Sequence, residues 1–132
     1  MSQYLLVTNA VIALLQATPH GVKEQIQKHS PKDIFVSTVV MFELYDGAYR
    51  SQRVQRNLEL LENILLPKLE FDASDAIAAG EIRATLASGG TPIGPYDGLI
   101  AGQAYSRGIT LVTGNQREFA RVSGLKIEDW SA

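Results

Sequence analysis

The chain lacks cysteine, any long apolar run and any excess of basic charge. Without cysteine among its 132 residues, it can form no disulfide, no thiolate nucleophile and no cysteine-ligated metal site. No apolar run reaches the length of a membrane span, and the first residues do not resemble a signal peptide, so we expect a cytoplasmic protein with no membrane association. Twelve Lys and Arg against 14 Asp and Glu give a formal charge of −2, which by itself does not indicate a nucleic-acid partner.

What remains is the composition of a folded protein, 45% hydrophobic and 20% charged. The length is that of one ordinary domain, and no linker, repeat or low-complexity segment divides it. We therefore expect a single domain over residues 1–132.

Short apolar runs alternate with amphipathic segments along the chain, which is typical of an α/β domain with a mostly parallel sheet. Strands are predicted over residues 4–7, 34–36, 69–71, 110–113 and 125–127. Helices are predicted over residues 10–15, 22–29, 38–47, 52–65, 74–88 and 97–107, with a short one at 118–119. Thr8 and Asn9 are the predicted N-caps of the first helix.

Polar side chains follow three of the predicted strands. Because sites in open α/β sheets gather beyond the carboxyl ends of the strands, we expect these side chains to lie close together. The candidate carboxylates are Glu43, Asp97 and Glu118, and the candidate neutral partners are Asn9, Thr113 and Asn115. Clustered carboxylates repel one another unless a cation is present, and oxygen ligands suit Mg²⁺ or Mn²⁺. Such a metal can activate water in phosphoryl-transfer chemistry.

Each acid also has a purely structural interpretation. Glu43 fits an exposed helix surface, and Asp97 fits a helix N-terminus, where the helix dipole favours a negative charge. Glu118 could form a solvated pair with its neighbour Arg117, which would contribute little to stability.

The histidines and aromatic residues have mainly structural interpretations. His20 and His29 are predicted to lie on the solvated surface, away from every strand end. Core or interface positions, with base stacking as a minor alternative, are predicted for Tyr45, Tyr49, Tyr96 and Phe119. The sequence has neither a phosphate-binding P-loop nor the dinucleotide-binding glycine pattern.

Five stretches of the sequence, in this order, resemble one family. They are YLLVTN at 4–9, FELYDG at 42–47, GGTPIGPYDGLI at 89–100, LVTGNQREF at 111–119 and VSGLKIEDW at 122–130. Together they resemble the VapC family, the PIN-domain ribonuclease toxins of bacterial toxin–antitoxin pairs. The likeness runs over essentially the whole chain.

The resemblance implies a three-layer α/β/α PIN domain with a central, mostly parallel sheet. It also implies a Mg²⁺- or Mn²⁺-dependent endoribonuclease that blocks translation by cutting tRNA or another structured RNA. The implied partner is a VapB-type antitoxin, whose C-terminal segment covers the active-site groove and whose DNA-binding domain carries the complex to operator DNA. A homodimer is implied as well, and apolar helix faces between Leu44 and Leu65 could supply its surface.

The resemblance also implies roles for individual residues. Glu43, Asp97 and Glu118 match the acidic metal-site residues, and Asn115 matches a polar position near the site. Hydrogen-bonding support for the carboxylates is implied for Thr8, Asn9 and Thr113. Arg83 resembles an arginine that faces the groove and holds an RNA phosphate.

Val7 departs from the family pattern, because it stands where the family has its first catalytic aspartate, as in YMLDTN. Valine cannot ligate a metal, and the next acid along the chain is Glu24. We therefore expect weakened metal binding and impaired catalysis, either in an inactivating variant or in a degenerate member. The alternatives are a catalytically silent module that binds antitoxin and dimerises, and a nuclease of the same fold that serves rRNA processing or DNA repair.

Overall fold

The computed structural model describes residues 2–16 and 21–131. In this part of the chain, five strands form one sheet: β1 (Tyr4–Leu6), β2 (Ile34–Ser37), β3 (Lys68–Leu69), β4 (Thr110–Val112) and β5 (Ile127–Glu128). Their order is β3-β2-β1-β4-β5, and each of the four pairings is parallel. A parallel sheet with helical connections confirms the predicted α/β class.

The helices of the described residues are α1 (Thr8–Leu15), α2 (Gly21–Gln27), α3 (Thr38–Arg50), α4 (Val54–Glu62), α5 (Ala73–Ser88), α6 (Pro95–Arg107) and α7 (Gln116–Phe119). A short 3₁₀ turn, Pro31–Asp33, precedes β2. Among the helices within residues 2–16 and 21–131, none is both long and apolar enough to cross a membrane.

The core lies on the central strands, whose continuous apolar runs are buried. Leu5, Leu6, Ile34 and Leu111 are completely inaccessible to solvent. Strands that are covered on both faces need apolar side chains in both directions, which is why these runs do not alternate. The buried centre fixes the sheet, so the polar residues that follow each strand are brought to one edge.

Close packing joins α5 to α6. A Cβ atom on Gly102 would lie 2.5 Å from the Cα of Ala79, so the two backbones touch there. Glycine at this position lowers helix propensity, and the close approach is the reason it is needed.

The edge strands are shorter than predicted or shifted. β3 ends at Leu69, because its partner β2 ends at Ser37 and the N–H of Phe71 donates instead to Thr38 Oγ1 (3.2 Å). β5 lies at 127–128 rather than 125–127, because it pairs with the last two residues of β4. Helix α4 is also shorter than the predicted 52–65, and Leu65 is 91% exposed beyond its end.

The C-terminal segment folds back over the region that follows α2, which makes the surface prediction for His29 wrong. The His29 ring stacks on Trp130 with centroids 5.2 Å apart and planes 8° apart, and it lies 4.6 Å from the ring of Tyr4. Trp130 is only 4% exposed. His20 lies outside the described residues.

Candidate active site

The side chains that follow the central strands converge on one cavity of about 170 Å³. Its lining residues are Val7, Thr8, Asn9, Glu43, Asp97, Thr113, Asn115 and Phe119. They come from the residues that follow β1 and β4, from the start of α1, from the N-terminal halves of α3 and α6, and from α7. The topology thus brings together residues that lie more than one hundred positions apart in the sequence.

Glu43 lies on α3, directly across from the start of α1. Thr8 Oγ1 donates a hydrogen bond to Glu43 Oε1 over 2.9 Å. Thr8 is the first residue of α1 rather than its cap, because Val7 occupies the cap position and accepts the Val11 N–H at its carbonyl. The hydroxyl is therefore free to hold the carboxylate.

Asn115 and Thr113 form a small network after β4. Thr113, 2% exposed, accepts a hydrogen bond at Oγ1 from the backbone N–H of Asn115 (2.9 Å). The Asn115 amide in turn donates to Glu118 Oε2 (2.8 Å). Glu118 is consequently held by Asn115, and it forms no salt bridge with the adjacent Arg117 in the described chain.

Asp97 is the carboxyl group whose environment is least favourable to its charge. Burial, the charge and hydrogen bond of Glu118 and the charge of Glu43 together raise the pKa of Asp97 from 3.8 to about 6. Like-charged neighbours favour the protonated form of a carboxyl group, and such shifts concentrate at functional sites. Negative charge in this cavity therefore lacks a counter-charge from the described part of the protein.

Val7 is one of the apolar residues that line the same cavity, together with Phe119. It is 6% exposed, and its backbone N–H donates to the carbonyl of Val112 (3.1 Å). The side chain occupies the position where α1 begins, but it cannot accept a hydrogen bond from the helix N-terminus. An aspartate at this position would both cap α1 and point a carboxylate at the cavity.

The donor set suits a hard divalent cation but is incomplete. The carboxylates available at the cavity and its edge offer only oxygen ligands, as Mg²⁺ and Mn²⁺ prefer. Within the described residues, however, no three acidic or histidine side chains are grouped closely enough to hold a metal ion. Asp97 and Glu118 are in contact, and Glu43 is turned to Thr8.

Two residues near the cavity, Arg83 and Phe42, differ in whether the sequence points to them as candidate site residues. The resemblance singles out Arg83, which is exposed on α5. Its side chain packs against the backbone of Gly98, since a Cβ atom added to Gly98 would lie only 2.6 Å from Arg83 Cγ. Sequence reasoning misses Phe42, whose ring lies 5.5 Å from that of Tyr96 and is 54% exposed. The available signal is its position next to Glu43, since Tyr96 likewise precedes Asp97.

Comparison with known proteins assigns the chain to a family. The sequence matches the PIN domain over residues 4–125. It is 43% identical to the tRNA(fMet)-specific endonuclease VapC of Shigella flexneri, with 99% of this chain and 100% of that protein aligned. The protein of the same name from Salmonella typhimurium is 41% identical, with 98% and 99% aligned.

Solved structures agree with the sequence relatives. The crystal structure of DNA-bound VapBC from Salmonella typhimurium superposes with a TM-score of 0.91 at 41% identity, covering 98% of this chain and 99% of that one. VapBC2 from Rickettsia felis, bound to a DNA fragment from its promoter, gives 0.89 at 32% identity, covering 97% and 98%. PIN-domain nucleases generally depend on divalent metal ions. The chain belongs to the VapC family of PIN-domain ribonuclease toxins.

Proposed function

We propose that this chain is a single PIN domain over residues 1–132 with the active site of a Mg²⁺- or Mn²⁺-dependent endoribonuclease. We further propose that Val7 impairs its activity. The observation that carries the proposal is the group of Asp97, Glu118 and Glu43, in which burial and the other two carboxylates raise the pKa of Asp97 to about 6. A cation would relieve that repulsion. Asp97 and Glu118 would hold the metal, with Glu43 as a further ligand.

The remaining polar residues position these ligands. Thr8 orients Glu43 through its hydroxyl, and Asn115 orients Glu118 through its amide. Thr113 fixes the turn that carries Asn115, and Asn9 lines the cavity as a neutral polar group. A divalent cation held there would lower the pKa of water and would stabilise the negative charge on the leaving oxygen of the phosphodiester.

Val7 weakens this arrangement in two ways. It removes one carboxylate from the ligand set, and it places methyl groups on the wall of the cavity that the remaining carboxylates share. Losing a group that only orients a ligand already costs about 10- to 100-fold in metal affinity or activity. Losing a ligand itself should cost at least as much.

The test is to restore the acid. Val7→Asp, purified with co-expressed antitoxin and then separated from it, should cleave tRNA in Mg²⁺ at least about 100-fold faster than the parent chain. Val7→Asn is the matched control, because asparagine also caps α1 but carries no charge. It should remain inactive, and EDTA should abolish cleavage by Val7→Asp.

A folded Val7→Asp protein that neither binds Mn²⁺ nor cleaves RNA would contradict the proposal. That result would favour the silent binding module, which acts through its antitoxin and through dimerisation. A gain of cleavage in Val7→Asn as well would show that helix capping, rather than a metal ligand, limits activity.

We further propose tRNA as the substrate and the cytoplasm as the place of action. The relatives from Shigella flexneri and Salmonella typhimurium are named tRNA(fMet)-specific endonucleases, and nearly the whole chain aligns with them. A toxin that cuts tRNA blocks translation, and translation takes place in the cytoplasm.

An apolar groove beside the site is our candidate surface for a VapB-type antitoxin. The groove, about 360 Å³, lies between α1, α3 and α4 and includes Ile12, Leu44 and Leu60. It shares Thr8 and Glu43 with the site cavity, so a segment in the groove would reach the carboxylates. Solved VapBC relatives support such a partner, through which operator DNA would be bound. If antitoxin binding does not slow amide hydrogen exchange in these three helices, the assignment is contradicted.

Homodimerisation is proposed for exposed apolar residues on or beyond the same helices that do not line this groove. Tyr49 and Leu65 are 63% and 91% exposed, which leaves apolar surface available on α3 and beyond the end of α4. A mass that stays monomeric at every concentration in light scattering would exclude the dimer.

A further inference from the structure

A second cleft, of about 340 Å³, opens beside the candidate active site. It is lined by Pro92, Asn115, Arg117, Glu118 and Arg121. Asn115 also lines the site cavity, and Glu118 contacts Asp97, so the cleft and the cavity share one wall. A bound chain that extended from the cavity across Asn115 would therefore reach the cleft.

Two arginines outside this cleft are paired with acidic side chains, whereas Arg53, Arg56 and Arg83, like Arg117, form no ion pair within the described residues. Arg50 pairs with Asp46, and Arg107 pairs with Asp72 and Asp75. Arg117, by contrast, makes no hydrogen bond or ion pair with any residue of the described chain. Arg121 donates through its side chain only to the carbonyl of Pro92, from Nη1 at 3.3 Å, within the same described residues.

The carboxylate in the cleft does not neutralise these guanidinium groups. Glu118 accepts from Asn115 over 2.8 Å and shares a hydrogen bond with Asp97. With Glu118 included, the two arginines leave the cleft with a formal charge of +1. The residues that line this cleft, beside the acidic cavity, therefore carry a net positive formal charge.

We propose that the cleft binds an RNA backbone phosphate adjacent to the one that is cut, through Arg117 and Arg121. Guanidinium groups match phosphate oxygens with two parallel hydrogen bonds, and Arg117 has its donors available. The inference rests on the proposed ribonuclease function. It assigns the role of phosphate contact to these residues rather than to Arg83, which lines neither the cavity nor the cleft.

The experiment measures RNA binding, because the Val7 chain would leave the RNA intact during the measurement. Fluorescein-labelled tRNA(fMet) is titrated with the parent chain, Arg117→Gln and the double variant Arg117→Gln/Arg121→Gln, at several salt concentrations. The control, Arg53→Gln/Arg56→Gln, removes the same charge from two exposed residues at the start of α4.

The double variant should bind RNA at least about tenfold more weakly than the parent chain. The slope of log binding constant against log salt concentration should fall in magnitude by about 1 for each phosphate that the protein no longer binds. Arg117→Gln should show part of this loss with unchanged thermal stability, since the side chain has no hydrogen bond or ion pair to a described residue. Arg117→Lys should recover some affinity, because it restores the charge without the planar fork. The control should change affinity by less than about threefold.

Equal losses in the double variant and the control would overturn the proposal, because they would show a diffuse charge effect. Unchanged RNA affinity together with weakened antitoxin binding would also overturn it and make the cleft a protein contact. If RNA affinity is unchanged while Val7→Asp cleaves tRNA, the cleft assignment fails and the proposed function stands. If no variant binds RNA and Val7→Asp is inactive, the proposed function fails as well.

Discussion

Two carboxylate clusters of this protein show opposite electrostatics. Asp75 is completely buried, but hydrogen bonds from Arg107, Ser106 and the backbone outweigh the opposing effect of burial and lower its pKa. Asp97 is only partly buried, and its pKa rises to about 6 through burial and the charges of its acidic neighbours.

The comparison shows that the partners of a carboxylate, more than its depth, decide its charge state. Asp75 accepts hydrogen bonds from Ser106 at 2.6 Å, from Arg107 at 3.0 and 3.2 Å, and from the N–H of Asp72 at 2.9 Å. These bonds tie the start of α5 to the end of α6, including a complete capping box. That cluster is structural, whereas the neighbours that shift the pKa of Asp97 are acidic, as is typical of functional sites.

The largest expected effect comes from breaking the satisfied cluster. Arg107→Ala leaves the Asp75 charge buried without its cation and should lower the free energy of unfolding by about 3 kcal/mol, measured by urea denaturation at pH 7. Because the pKa of Asp75 is lowered, the stability that this pair contributes is present above pH 3.8 and is lost as the pH falls below it. An Arg107→Ala chain as stable as the parent would contradict the structural role.

A smaller, opposite effect is expected in the unsatisfied cluster. Asp97→Asn removes a charge that the metal-free fold disfavours, so it should stabilise that form by about 1 kcal/mol at pH 7.5. The folded-state pKa of Asp97 is raised, so the parent loses stability as the pH rises from 3.8 through about 6. Thermal unfolding in EDTA at about pH 4 and pH 7.5 should show the gain only at the higher pH. Mn²⁺ should then stabilise the parent but not Asp97→Asn, and equal stabilisation of both would contradict a role of Asp97 as a ligand.

The smallest effects compare one hydroxyl from each cluster. Ser106→Ala removes a donor to buried Asp75 and should cost about 1–2 kcal/mol, whereas Thr8→Val removes a donor to half-exposed Glu43 and should cost less than about 1 kcal/mol. Water can replace the Thr8 hydroxyl but cannot reach Asp75. Equal losses in chemical denaturation would remove the distinction between the two clusters.

The sequence predicts the sheet and the convergence of the site because both follow from local patterns. Apolar runs identify the buried strands, and the polar residues after them, such as Glu43 and Asn115, reach one cavity because parallel strands end at one edge. Glu118 does not line this cavity and belongs to the site only through its contacts with Asp97 and Asn115. The departure at Val7 is visible only beside the family pattern.

The remaining features depend on contacts between distant elements. Asp75 and Arg107 lie 32 positions apart on two helices, and neither shows a local pattern that identifies the other. His29 is covered by Trp130 only because the C-terminal segment returns to β1. The cleft of Arg117 and Arg121 is likewise unpredictable from the sequence, because Pro92 and Arg121, which lie 29 positions apart, meet only in the folded chain.

The placement of Val7 has a genetic consequence. The residue follows β1, caps α1 and lines the cavity, yet its backbone makes the bonds that the fold requires and its side chain can make none. Valine and aspartate codons can differ at the second base alone, so a single base substitution can separate this chain from the family's acid. Selection against a harmful nuclease can therefore act through one base of this codon while the backbone hydrogen bonds of the fold are kept, and reversion is equally close.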